Sequence, residues 1–183
     1  MLKNEIRETM KQARKSLSAE EVKQKSFIII NKLKEILDDN YDTYFIYNDF
    51  DNEVCTKQLI EYLLEQNKKV FLPKIIKDTM FAAPYNKQTT FSTNKFKINE
   101  PNSEIKEIDN FICVTPILAI DKKGNRIGYG KGYYDKFFKN KKCLKIGLCF
   151  DFQIIENIKS EPHDIPLDII ISENRTIKTT KAR

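Results

Sequence analysis

Gly124-Asn125-Arg126-Ile127-Gly128-Tyr129-Gly130-Lys131-Gly132-Tyr133-Tyr134-Asp135 is the stretch on which the reading of this chain turns. It holds four of the five glycines, packed into nine residues, in a sequence that otherwise nearly avoids glycine. Glycine supplies positive φ and lets other atoms approach the backbone closely. Gly128, Gly130 and Gly132 alternate with Tyr129 and Lys131, and an aromatic pair and a carboxylate follow. Successive exposed N–H groups, a lysine and a helix start make a pocket for anionic oxygens, typically phosphate. The plainer alternative is a glycine-rich hinge or hairpin.

The flanks of this loop set the fold. Upstream, Phe111–Val114 reads as a buried strand and Pro116–Asp121 leads into the glycines; downstream, Tyr134–Phe138 reads as a helix, Cys143–Cys149 as a strand and Leu167–Ile171 as a final strand. Further out, Leu2, Ile6, Met10, Ala13 and Leu17 recur at helical spacing, with a basic stripe of Lys3, Arg7, Lys11 and Arg14 beside them. That is the pattern of an amphipathic surface helix, unless an anion waits for Lys3 and Arg7. Ser18 and Glu21 form a capping box for a second helix running to about Asp38. Asp42–Tyr47 reads as a strand, Asn48–Glu53 as a polar loop, Thr56–Glu65 as a helix, Val70–Pro73 as a strand ended by its proline and Met80–Pro84 as another. Tyr85–Glu107 is polar and fits either a lid or a long connection. Strands alternating with helices predict an α/β fold: a Rossmann-like three-layer sandwich, its central, largely parallel sheet flanked by helices. No domain boundary interrupts it, so residues 1–183 are expected to form one domain. Ligands of such sheets bind at the carboxyl ends of strands, where the glycine loop falls.

Composition narrows the function classes. Hydrophobic residues make up 40% of the 183 and charged residues 32%, which fits a folded, water-soluble chain. No apolar run approaches a membrane span, and the N-terminus has neither a signal core nor transit-peptide character, so a cytoplasmic protein without membrane contact is expected. Cys55, Cys113, Cys143 and Cys149 lack CxxC spacing and the chain has a single histidine, a poor zinc set; reduced, packed thiols are expected. The net charge of +6 allows a polyanionic partner. The lysines are spread along the chain, with short runs at Lys139–Lys142 and near the C-terminus, and no nucleic-acid motif accompanies them, so small anionic molecules are favoured over nucleic acid. The loop is neither a Walker loop, since Gly132 follows Lys131 where Ser or Thr is needed, nor the dinucleotide fingerprint, whose third glycine would fall at Tyr133. Residue chemistry alone therefore stops at a phosphate-handling α/β protein.

Taken whole, Pro116–Asp135 resembles the signature of the 5-formyltetrahydrofolate cyclo-ligase family, through its Arg-x-Gly-x-Gly-x-Gly-Tyr-Tyr-Asp core. Lys3 and Arg7 resemble the family's N-terminal Lys-x-x-x-Arg, Glu53-Val54-Cys55-Thr56 its Glu-hydrophobic-x-Thr loop, Glu100-Pro101 its Glu-Pro pair, and His163–Asp168 its C-terminal carboxylate segment. Ile117, Ile120 and Tyr129 depart slightly from the common pattern. The resemblance implies an enzyme that uses ATP as co-substrate and Mg2+ as cofactor to close 5-formyltetrahydrofolate into 5,10-methenyltetrahydrofolate. It implies an ATP site of Lys3, Arg7, Arg126, Ile127, Gly128, Tyr129, Gly130, Lys131, Gly132, Tyr133 and Tyr134. It implies folate contacts from Asn48, Glu53, Tyr129, Gly130, Lys131, Gly132 and Tyr133, catalytic roles for Lys131 and Tyr133, and magnesium carboxylates at Asp135 and Asp164. On residue type alone, Asp135 is also a helix N-terminal acid, Asp164 a turn residue, Glu53 a charge near a helix start, and His163 a structural or rim residue. The chain is expected to act as a monomer on small molecules. The competing expectation is a non-catalytic relative of the same fold that binds RNA through its basic surface.

Overall fold

The computed structural model describes residues 2–95 and 97–179; the basic run at the C-terminus extends beyond them. Strand alternation builds the core. In β1 (Thr43–Ile46), Tyr44 and Ile46 face one side and Phe45 the other; in β6 (Phe111–Pro116), Ile112 and Val114 oppose Phe111 and Cys113. Both faces of these strands are buried, so both sides of the sheet must be covered.

Seven strands form the central sheet in the order β12-β11-β9-β6-β1-β2-β3. β9 (Cys143–Leu148) and β11 (Ile169–Ile171) run parallel to β6 and β1, as does β2 (Lys69–Ile76). The two edges are antiparallel: β3 (Thr79–Tyr85) returns on β2, and β12 (Thr176–Lys178) on β11. The sheet is thus largely parallel, flanked by helices, as the alternation predicts. Helices α2 (Ala19–Ile36) and α3 (Lys57–Glu65) cover one face with Ile29, Ile30, Leu33, Leu59 and Leu63. The short α4 (Tyr133–Phe138) covers the other, where Phe137 stacks on Phe45 at 4.5 Å. The capping box at α2 forms as expected: Ser18 Oγ accepts from Glu21 N–H at 3.2 Å, and Glu21 accepts from Ser18 N–H at 2.8 Å.

Several elements differ from expectation. Pro73 does not end β2. Beyond Phe71 the strand has left β1 and keeps only β3 as neighbour, so a residue without an N–H sits there at no cost to a second ladder. Leu167–Ile171 is not last, because β12 follows it. The polar Tyr85–Glu107 stretch contains a hairpin, β4 (Phe91–Thr93) with β5 (Asn99–Pro101). Glu100 pins it to the sheet by accepting from Ile75 N–H at 2.9 Å. A small second sheet, β10 (Ile154–Ile155), β7 (Ala119–Asp121) and β8 (Arg126–Ile127), carries the glycine stretch. Helix α1 (Lys3–Lys15) packs on it through Ile6 and Met10, against Ala119 and Ile127.

Candidate functional site

The glycine stretch is an arm with a fixed base and an open tip. At the base, the buried Asp121 carboxylate accepts four hydrogen bonds, from Lys123 N–H, Asn125 N–H, the Asn125 side chain and Ile158 N–H, at 2.9–3.0 Å. Gly124, at φ +87°, accepts from Leu167 N–H at 3.0 Å, and a Cβ there would lie 2.3 Å from the Leu167 carbonyl oxygen. At the tip the chain leaves the ladder. Among the described residues, none accepts a hydrogen bond from the backbone N–H of Gly128, Tyr129, Gly130, Lys131 or Gly132. Five consecutive unpaired donors are a site for anionic oxygens. Arg7 of α1 sets the arm's height: its Nε donates to Gly128 O at 2.8 Å, and Gly130, at φ +92°, lies so close that a Cβ would touch the guanidinium at 3.4 Å. Gly132, left-handed at φ +64°, turns the chain into α4.

Beside the arm is a cluster of alternating charge. Lys3 Nζ lies 3.0 Å from Glu161 and 3.2 Å from Asp164, whose Oδ2 also accepts from Glu161 N–H at 2.8 Å. Burial works to raise the Asp164 pKa, but that N–H, Lys3 and His163 outweigh it and hold the carboxyl below its usual range. Asp135 Oδ1 pairs with the Arg126 guanidinium at 2.9 Å and accepts from Ile165 N–H at 2.9 Å, while Arg126 donates to Ile165 O at 2.7 Å. Each aspartate spends one oxygen on being oriented. The second oxygen of Asp135 has no hydrogen bond among the described residues, and that of Asp164 faces only the exposed His163 at 3.6 Å. Two such carboxylates suit magnesium, which keeps waters and takes phosphate oxygens for the rest of its shell.

The opposite end centres on Glu53, in the Asn48–Glu53 loop after β1. The loop turns through two left-handed residues, Asp51 and Asn52, and Asn52 caps α1 by donating to Arg14 O at 3.0 Å and Leu17 O at 3.1 Å. Glu53 is 5% exposed and accepts from Phe50 N–H at 3.1 Å. Burial pushes its pKa up to about 8, against the pull of Arg14 and that N–H. Phe50 and Tyr129 stack beside it at 5.5 Å.

One cavity of about 660 Å³ joins the two ends. Its wall includes Lys3, Arg7, Asn48, Glu53, Arg126, Asp135 and Asp164, together with every residue from Ile127 to Tyr134, so it brings together all the site residues expected from sequence. The β4–β5 hairpin supplies Asn94, Ile98, Asn99 and Glu100, and Asn48 donates to Asn99 O at 3.2 Å. The polar stretch is therefore a wall of the cavity. Tyr134 also packs inward on Phe45 and Phe138. His163 sits at the rim, with its side chain 70% exposed. Two residues here, Asp121 and Arg14, have no role legible in the sequence. Arg14, placed on the basic stripe, is instead 1% exposed behind Glu53, on the helix face it shares with Ile6 and Met10.

The family model described as the 5-formyltetrahydrofolate cyclo-ligase family matches residues 1–173. This chain belongs to that family. Among curated relatives, the 5-formyltetrahydrofolate cyclo-ligase of Haemophilus influenzae is 37% identical over 69% of this chain and 73% of its own length. That of Mycoplasma pneumoniae is 30% identical over 94% and 99%. The NMR structure of Aquifex aeolicus 5,10-methenyltetrahydrofolate synthetase superposes with a TM-score of 0.86 at 29% identity, covering 100% of this chain and 95% of that one. As a cyclo-ligase family member the chain is an enzyme, and its mixed sheet is that of the solved synthetase.

Proposed function

We propose that this protein converts 5-formyltetrahydrofolate and ATP into 5,10-methenyltetrahydrofolate, ADP and phosphate, with Mg2+ as cofactor. The observation that carries the reading is one cavity with five backbone N–H donors unpaired among the described residues at one end and a buried carboxylate at the other. One end suits a triphosphate and the other the amino and N–H donors of a reduced pterin.

A formamide carbon is a poor electrophile because the nitrogen donates into the carbonyl. Transfer of the γ-phosphoryl group to the formyl oxygen converts that oxygen into a leaving group. The N10 nitrogen then attacks the carbon, closes the ring and expels phosphate. Catalysis is mainly positioning and charge stabilisation. The N–H groups of Gly128 to Gly132 cradle phosphate oxygens, and Lys131, exposed on the cavity wall, neutralises charge as the phosphoryl group moves. Lys3 and Arg7 bring cationic charge to the nucleotide, with Ile127, Tyr129, Tyr133 and Tyr134 completing its walls. Arg126 orients Asp135 through their ion pair. Asp135 and Asp164 would hold magnesium, which when bound draws charge off the phosphates. Glu53 and Asn48 hold the pterin, and Tyr129 and Tyr133 pack along the folate. In this reading the chain is one domain working as a cytosolic monomer on small molecules.

The test is direct. Purified protein with ATP, Mg2+ and 5-formyltetrahydrofolate is expected to produce the ultraviolet band of the methenyl product, and to lose it when Mg2+ is chelated. No band, with RNA retained at physiological salt, would replace this reading with the RNA-binding one.

A further inference from the structure

We propose that Arg14 is a positioning residue that, from behind the cavity wall, points its guanidinium at the Glu53 carboxylate, so that charging it costs less when the pterin's donors arrive, and seats Tyr129 beside it. The inference rests on the reading of Glu53 as the pterin's acceptor.

Arg14 does not line the cavity, and it is 1% exposed. Its NH2 donates to the Tyr129 hydroxyl at 2.6 Å and to Asp51 at 3.1 Å. The Tyr129 hydroxyl in turn points at Glu53 Oε1, 3.5 Å away, so a relay runs from guanidinium through phenol to carboxylate. Arg14 NH1 lies 3.8 Å from the same Glu53 oxygen, while NH1 and Nε have no hydrogen-bond acceptor among the described residues. Buried guanidinium donors without acceptors are rare, because the lost hydration must be replaced. A shift of about 1 Å would bring NH1 and Glu53 into hydrogen-bond range. The helix cannot drift from the loop, because Asn52 bonds to Arg14 O and Leu17 O.

The groups facing Glu53 explain why one cation matters. Its own loop contributes Asp49 and Asp51, both of which oppose its ionisation. Tyr47 at the end of β1, Tyr129 of the arm and Tyr134 of α4 also interact with it electrostatically. Lys11 lies 5.9 Å from the Tyr129 ring, pairs with Glu8 and does not reach Glu53. Among these described groups, Arg14 is the cation that pulls the Glu53 pKa down, against burial and two like charges.

The experiment compares wild type with R14M, R14Q, R14K, E53Q and R14M/E53Q, measuring kcat and KM for each substrate from pH 5.5 to 10, with thermal melts to establish folding. In R14M the acid limb of kcat/KM for the folate is expected to move up by at least one pH unit. Its folate KM at pH 7.5 should rise at least tenfold, with kcat and the KM for ATP within threefold of wild type. R14K should keep the limb within half a unit. R14Q removes the charge but keeps polar groups; it should move the limb as R14M does, and it replaces R14M if that variant does not fold. In an E53Q background, R14M should cost less than threefold. An unmoved limb in a folded R14M or R14Q, an equal loss at every pH and on both substrates, or full additivity with E53Q would each overturn the proposal. A wild-type protein that forms no methenyl product would instead overturn the functional reading beneath it.

Discussion

The two ends of the cavity hold acids in opposite ways. Asp164 is partly exposed and is held below the usual carboxylate range by an N–H group and by Lys3; Asp135 is fastened by an arginine and an N–H. Glu53 is buried, accepts one backbone N–H, stands 3.8 Å from its cation and is pushed up to about 8. At the end proposed for phosphate, the Asp164 charge is favoured by groups already in place. At the end proposed for folate, Glu53 would gain full charge only when donors arrive to share it. In the proposed reading one cavity takes both a polyanion and a nearly neutral ring, and a carboxyl that stays uncharged until the ring's donors arrive adds no repulsion towards the triphosphate.

Breaking the phosphate end carries the largest expected effect. Asp135→Asn and Lys131→Ala should each lower kcat about 100- to 1,000-fold, the cost of removing one charge-stabilising group from such a site. Folate KM should be little changed, and circular dichroism should be that of wild type; wild-type turnover would place these residues outside the reaction. Next, Glu53→Gln should raise folate KM by about 10- to 100-fold, the range for losing one charge-assisted hydrogen bond, with ATP KM unchanged. Third, pH separates the ends without mutation. Glu53 is raised, so the free enzyme carries it protonated below about pH 8, and binding N–H donors requires the proton to leave. Between pH 6 and 8, kcat/KM for folate should therefore climb by up to about tenfold per unit, while ATP binding stays flat.

The smallest effect lies outside the cavity and serves as a control. Asp151, bonded by Arg175 and Ser172, is held at about 2 against an ordinary 3.8. A depressed acid stabilises the fold above its unfolded pKa and loses that contribution as pH falls through its folded one. The contribution of about 2 kcal/mol should thus be complete above about pH 5 and mostly lost by about pH 2. Asp151→Asn should lower urea stability at pH 7 by about that amount and leave kcat untouched.

What the sequence made legible followed from local chemistry. A glycine cluster in a glycine-poor chain, the Ser18–Glu21 box and the apolar runs of β1, β6 and β9 each carry their own signal. The β4–β5 hairpin carries none, because Phe91–Thr93 is exposed throughout and its place comes from Glu100 reaching Ile75 N–H. Strands of two or three residues, such as β7, β8 and β10, are too short for any period to show. Arg14 is hidden for a related reason: a lone arginine looks the same whether solvent or a loop 40 residues later closes over it. Asp121, equally silent in sequence, shows its role only through the four groups that converge on it.

Gly124 meets Leu167 so closely that no other residue fits between them, and Asp135 is held by Ile165 N–H. The loop that would grip nucleotide is thus translated some 40 residues before the segment that shapes it. A nascent chain on the ribosome can therefore carry every glycine of the arm and still lack the contacts that shape it until the Ile165–Leu167 segment has followed it out of the exit tunnel.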